Sequence, residues 1–333
     1  MLNVSDSKNE RVDPQAFAES VEALLLGGPR TLTPLDLAQR ANLHREAGRR
    51  LWQSMGFASV DEEGYDNEIS LTDYDLVAAQ RIQQAIESGI ATFEETVSLS
   101  RLAGQIFAQL AESEGEAMYA LALRQPGGFT AAVETLGSEL LPFIEELHTY
   151  VWRRQLAAFV ARKAMQLGKH LDADQGATVG FADISGFTAL SRRTGQAELA
   201  DLLELFESVA TDAVGAHGGR VVKLIGDAVL YTVAEPVAGV EIAAELLESW
   251  PATQPPIRAG VATGPILRRL GDVFGPTVNI ASRLTSVGRP GEVRVDEATA
   301  TAVTADPRFH FEAQPPQDVR GYDQLPSWRL VRN

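Results

Sequence analysis

The spacing of apolar residues changes character midway along this 333-residue chain. Through residues 1–150 they recur every three or four positions, the period of helices that bury one stripe. Such a stripe runs from Pro14 to Leu26 and stops at Gly27-Gly28-Pro29. Thr33-Pro34 reads as a cap with proline in the first helical turn, opening a short helix that breaks at Asn42-Leu43-His44. A second helix continues through Trp52 toward Phe57, and Asp61 to Asn67 reads as an acidic loop. Further helices are predicted over 73–89, 93–111 and 114–124, with a turn at Gln125-Pro126-Gly127-Gly128 and a last helix over 139–168. The stretch from Trp152 to His170 is basic and suits a connecting helix.

After Asp172 short β-branched runs alternate with helical ones. Strands are predicted over 177–182, 220–225, 228–233, 257–263, 266–271, 292–295 and 328–331, with helices over 198–217, 237–250 and 277–288. Hairpin-linked strands mixed with crossover helices predict an α+β sheet with helices on one face. The expected organisation is an all-α domain over 1–150, a connecting helix over 151–173 and an α+β domain over 174–333.

Charge sharpens this division. The net charge is −16, and residues 1–150 hold 10 basic against 24 acidic side chains, whereas 151–333 hold 19 against 21. An acidic helical half repels phosphates at long range, so no nucleic-acid partner is expected there. No apolar run approaches the roughly 18–20 residues that span a bilayer, and the amino terminus lacks a basic-then-apolar leader. With no cysteine in the chain, disulfides and thiolate metal sites are excluded, and a cytoplasmic location is expected.

Candidate chemistry lies in the second half. Asp183, in Phe181-Ala182-Asp183-Ile184-Ser185-Gly186-Phe187, and Asp227, in Lys223-Leu224-Ile225-Gly226-Asp227, each end an apolar run beside a glycine. One aspartate next to a glycine is ordinarily a turn or a helix cap. Two at the ends of buried strands point to a divalent-cation site for phosphoryl chemistry. The backbone from Ile184 to Phe187, entering a helix, is a candidate phosphate cradle. Asn279 and Arg283 stand four residues apart and share one helix face. Only four of the 29 basic residues are lysine, and Lys223 falls within an apolar strand.

Taken together with Gly271-Asp272-Val273-Phe274-Gly275-Pro276-Thr277-Val278-Asn279, these segments resemble the class III nucleotidyl cyclase catalytic domain, from about residue 174 to the end. The resemblance implies two cations, Mg²⁺ or Mn²⁺, held by Asp183, Asp227 and the Ile184 backbone. It implies adenine recognition by Lys223 and Asp272, ribose orientation by Asn279 and stabilisation of the transition state by Arg283. It further implies ATP as substrate, cyclic AMP and pyrophosphate as products, and active sites shared between the two subunits of a homodimer. A polyphosphate-binding lysine expected near the carboxyl terminus is replaced by Arg320, and Pro276 stands where a polar residue is usual.

The helical half resembles the regulatory domain of pH-responsive, autoinhibited actinobacterial adenylyl cyclases. Leu37 to Trp52 also has the layout of a helix-turn-helix, although a packing unit without DNA contacts is the favoured reading. His148, His170 and His310 are candidate proton sensors, and an apolar groove holding a lipid is a second candidate effector site. Rival readings are a guanylyl cyclase and a catalytically silent nucleotide-sensing or DNA-binding regulator.

Overall fold

The computed structural model describes residues 14–122, 124, 128–167 and 176–331. The chain divides into two compact units, Met1–Arg162 and Lys163–Asn333.

The first unit is helical: α1 (Pro14–Leu25), α2 (Pro34–Arg40), α3 (Arg45–Ser54), α4 (Glu62–Asn67), α5 (Asp73–Glu87), α6 (Phe93–Ala122), α7 (Gly128–Thr135), a π-helical turn (Leu136–Leu140) and α8 (Leu141–Leu167), which continues into the second unit. Its helix starts follow from a repeated local code. Thr33 with Asp36 and Thr72 with Asp75 form reciprocal capping boxes on α2 and α5, and Thr92 with Glu95 makes the same pair of bonds ahead of α6. Leu32 and Leu71, each just before a cap, bridge in antiparallel fashion and tie α2 to α5. Leu32, Ala41, Leu71 and Leu76 form the core there, with Leu37, Leu43, Trp52 and Ala79 against it.

Two sequence expectations change in this unit. The acidic loop is the helix α4, because Asp61 caps the Gly64 amide at 2.7 Å and Tyr65 is buried. The two helices predicted over 93–124 are one, since Ala111 to Glu114 contains no breaker. The basic face of α3 is neutralised internally. Arg45 and Arg49 reach Glu62 at 2.7 and 2.8 Å, and Arg50 grips Glu94 through two bonds of 2.7 and 2.6 Å.

In the second unit the elements are β1 (Ala177–Ile184), α9 (Phe187–Leu190), α10 (Gln196–Ala216), β2 (Arg220–Ile225), β3 (Ala228–Val233), α11 (Pro236–Ser249), β4 (Ile257–Gly264), β5 (Leu267–Arg269), β6 (Asp272–Phe274), α12 (Pro276–Val287), β7 (Val293–Val295), α13 (Glu297–Val303), β8 (His310–Val319) and β9 (Tyr322–Val331). A seven-stranded sheet has the order β2-β3-β1-β4-β7-β9-β8, and β5-β6 form a separate ribbon. This is a mixed α+β architecture.

Helices cover both faces of the sheet, not one. Ala182, Ile184, Val229, Tyr231, Ala259 and Val261 point to the layer of α10, α11 and α13, where Phe206, Ile242 and Leu246 are fully buried. The alternate positions Val179, Leu230 and Ala262 meet Ala281 and Leu284 of α12 on the other side. Central strands apolar at successive positions need cover on both faces, and α12 supplies the second. The long β8-β9 hairpin extends far beyond the strand predicted over 328–331, because His310 to Val319 is mostly exposed and lacks apolar alternation.

Candidate active site

Strand pairing sets the two aspartates side by side. β1 lies antiparallel to β3 with Asp183 opposite Ala228, and the Ile184 amide donates to the Asp227 carbonyl at 3.0 Å. The turns beside them need left-handed backbone: Gly186, three residues after Asp183, has φ 76° and Gly226, just before Asp227, has φ 59°. Burial, followed by the nearby Asp183 charge, pushes the Asp227 carboxyl above the usual aspartate range, while Arg258 pulls it down.

A residue not singled out in the sequence, Arg258, joins this pair. It sits directly opposite Asp183 in the β1-β4 register. Its Nε donates to Asp183 Oδ1 at 2.7 Å and its Nη2 to Oδ2 at 3.2 Å. Nη1 is fixed by the carbonyls of Ser286 and Gly288 at the end of α12, at 2.9 and 3.3 Å. The signal was available in the sequence, as an arginine one residue into the apolar run that begins at Ile257.

The cradle expected over Ile184 to Phe187 is narrower than its sequence suggests. The Ile184 and Ser185 amides are committed to Asp227 and Pro256 carbonyls at 3.0 and 2.9 Å, so Gly186 and Phe187 are left to serve it. The Ser185 hydroxyl oxygen is buried without a hydrogen-bond partner. An orphaned hydroxyl beside two crowded carboxylates fits a site shaped for a cation and an anionic group. Hard oxygen donors suit Mg²⁺ or Mn²⁺. Among the described residues, no group of three or more His, Asp or Glu side chains gathers to hold a metal ion.

The base-reading candidates also meet. Lys223 on β2 and Asp272 at the start of β6 join at 2.6 Å. Burial raises the Asp272 carboxyl, but hydrogen bonds from Lys223 and the Val273 amide outweigh it, and the group ends below the ordinary range. Around the pair, Leu224, Ile225, Leu267, Leu270 and Phe274 are exposed apolar residues. On α12, Asn279 is exposed, and Arg283 donates from Nε to the Arg320 carbonyl at 3.2 Å. The β8-β9 turn therefore touches Arg283 through its backbone. Tyr322, just beyond it, donates to the Pro276 carbonyl at 3.4 Å.

Of the candidate proton sensors, His148 on α8 pairs with Glu114 on α6 at 2.7 Å, and Phe107 stands edge-on to its ring. His310 is an exposed residue at the start of β8. His170 lies outside the described residues. In the helical unit a cavity of about 390 Å³ is lined by Leu37, Trp52, Phe57, Tyr65 and Leu71, among others. No helix among the described residues is long and apolar enough to cross a membrane.

The model of the adenylate and guanylate cyclase catalytic domain matches residues 171–332. An adenylate cyclase of Streptomyces coelicolor is 39% identical over 98% of this chain and 92% of its own length. An adenylate cyclase of Glutamicibacter nicotianae is 35% identical over 95% and 83% respectively. A pH-sensitive adenylate cyclase of Mycobacterium tuberculosis is 28% identical over 86% and 74%. Similarity of this extent, reaching through the helical unit as well, makes the chain a member of the adenylate and guanylate cyclase family and an enzyme with cyclase activity.

Proposed function

We propose that this enzyme converts ATP to 3′,5′-cyclic AMP and pyrophosphate, at sites shared between two copies of the chain, with the helical unit as regulator. The observation that carries the reading is the Lys223–Asp272 contact at 2.6 Å. An ammonium donor beside a carboxylate acceptor matches the N1 acceptor and N6 donor of adenine. A pocket of paired polar groups rejects a mismatched base edge by leaving one of them unsatisfied. The relatives named adenylate cyclase, at 39% and 35% identity, support the same substrate.

The reaction joins the ribose 3′-oxygen to the α-phosphorus and breaks the bond to pyrophosphate. Asn279 orients the ribose, and Arg283 meets the negative charge that develops on the α-phosphate. Arg283 must leave the Arg320 carbonyl, or share its remaining donors, to do so. The Gly186 and Phe187 amides and the Arg320 side chain hold phosphate oxygens. Asp183, Asp227 and the Ile184 carbonyl would hold two Mg²⁺ or Mn²⁺ ions, whose charge would lower the pKa of the 3′-hydroxyl and neutralise the triphosphate. The exposed apolar side chains around Lys223 and Asp272 support a site closed by a second copy, with the aspartates of one subunit facing the base pocket of the other. For regulation, the His148–Glu114 pair offers a tie between two long helices of that unit.

Mixing tests the shared site. Asp183→Ala and Lys223→Ala chains are each expected to be inactive, and mixed in equal amounts to recover about a quarter of wild-type activity, because random pairing makes half of the dimers mixed and each of those keeps one intact site of two. ATP and GTP are assayed in parallel. A mixture that associates but stays inert, or a preference for GTP, overturns the proposal.

A further inference from the structure

Arg258 spends four hydrogen bonds on one arrangement: two on Asp183 and two on carbonyls at the end of α12. Both carboxylate oxygens of Asp183 are engaged by the fork of one guanidinium. The two side chains are only about a quarter exposed, at 26% and 22% for Arg258 and Asp183. Screening by water is therefore weaker than for a surface pair. The carbonyls of Ser286 and Gly288 lie where the helix dipole favours a cation, so the guanidinium is anchored independently of Asp183. A divalent ion approaching Asp183 needs the same oxygens and meets a fixed positive charge beside them.

From this geometry we infer that Arg258 is the resident counter-cation of the metal-free site and competes with the divalent cation for Asp183. This rests on the metal role assigned above to Asp183 and Asp227. Its consequence is that the chain without nucleotide binds the free cation weakly. Arg258 is a positioning residue here, acting through Asp183, and the pair has a function beyond bracing β1 to β4.

The test is Mn²⁺ binding to the full-length protein without nucleotide, followed by the electron paramagnetic resonance signal of the free ion. Arg258→Met is expected to bind Mn²⁺ about ten-fold more tightly than wild type, corresponding to the removal of one close like charge. Adding Asp183→Asn to Arg258→Met is expected to abolish that gain. Arg258→Lys keeps the charge but loses the fork, and is expected to gain about three-fold. It carries the test if the Met variant does not fold. Equal or weaker binding by these variants overturns the inference and leaves the cyclase reading intact, as a purely structural brace would. A gain that survives Asp183→Asn overturns it as well. If Asp183→Asn alone leaves Mn²⁺ binding unchanged even with a non-cyclisable ATP analogue present, the metal assignment fails together with the inference.

Discussion

The two units of this enzyme solve the burial problem differently. In the catalytic unit, strands β1, β3 and β4 are covered on both faces, and Phe206, Tyr231, Ile242 and Leu246 are wholly buried. Its exposed large apolar residues are few and gather at Leu224, Ile225, Leu267, Leu270 and Phe274, beside Lys223 and Asp272. In the helical unit the compact core is small, and α6 and α8 carry Leu99, Ile106, Phe107, Tyr119, Phe143, Leu147, Tyr150 and Trp152 largely exposed. Apolar pattern alone therefore measures what a helix is able to bury, not what its own unit buries. A sheet clad on both sides satisfies its pattern internally, whereas a long helix in a small bundle has more apolar surface than neighbours.

The contrast breaks most sharply at Asp227. This carboxylate is held above its ordinary pKa by burial and by Asp183, so it costs the catalytic unit stability at neutral pH. Asp227→Asn is expected to lower cyclase activity by about a thousand-fold or more, on the scale of several kcal/mol for lost metal assistance. Its unfolding temperature is expected to equal or exceed that of wild type. A marked loss of stability in that variant would show the aspartate to be structural.

Core truncations probe the next largest difference. Phe206, fully buried and edge-on to Trp250, anchors the α10-α11 layer. Phe206→Ala is expected to destabilise the catalytic unit by about 3–5 kcal/mol, and Leu51→Ala in α3 to destabilise the helical unit by about 2–3 kcal/mol. Scanning calorimetry is expected to show each substitution shifting a different transition. A single transition displaced equally by both would mean that the two units unfold as one.

The smallest expected effect is at Asp296, the N-cap of α13, which accepts from the Thr299 amide at 2.9 Å and the Thr263 amide at 3.3 Å. Burial lifts its carboxyl above the usual range despite these bonds. A raised folded-state value means that its contribution to stability is complete below the ordinary aspartate pKa and is lost as pH rises through the raised one. Asp296→Asn keeps the cap without the desolvated charge. Near neutral pH it is expected to match or exceed wild type by about 1 kcal/mol, with the advantage disappearing as the solution is acidified. Denaturant unfolding at several pH values checks this, and an advantage that grows on acidification would contradict it.

Sequence alone determined most of the helix starts, the change from a helical half to an α+β half, and which chemical groups β1, β2 and α12 carry. These are local or linear properties: a capping box needs four residues, and a strand announces itself by its own apolar run. The pairing of Asp183 with Arg258, 75 positions apart, and of Lys223 with Asp272, 49 apart, was decided by register in the sheet and by the β5-β6 ribbon. The same holds for the commitment of the Ile184 and Ser185 amides, for the second helical layer, and for the β8-β9 hairpin with its mostly exposed first strand. Such features depend on which distant groups arrive to use a donor, an acceptor or a face. A linear pattern records the group but not its partner, and only the folded sheet brings the partners within bonding distance.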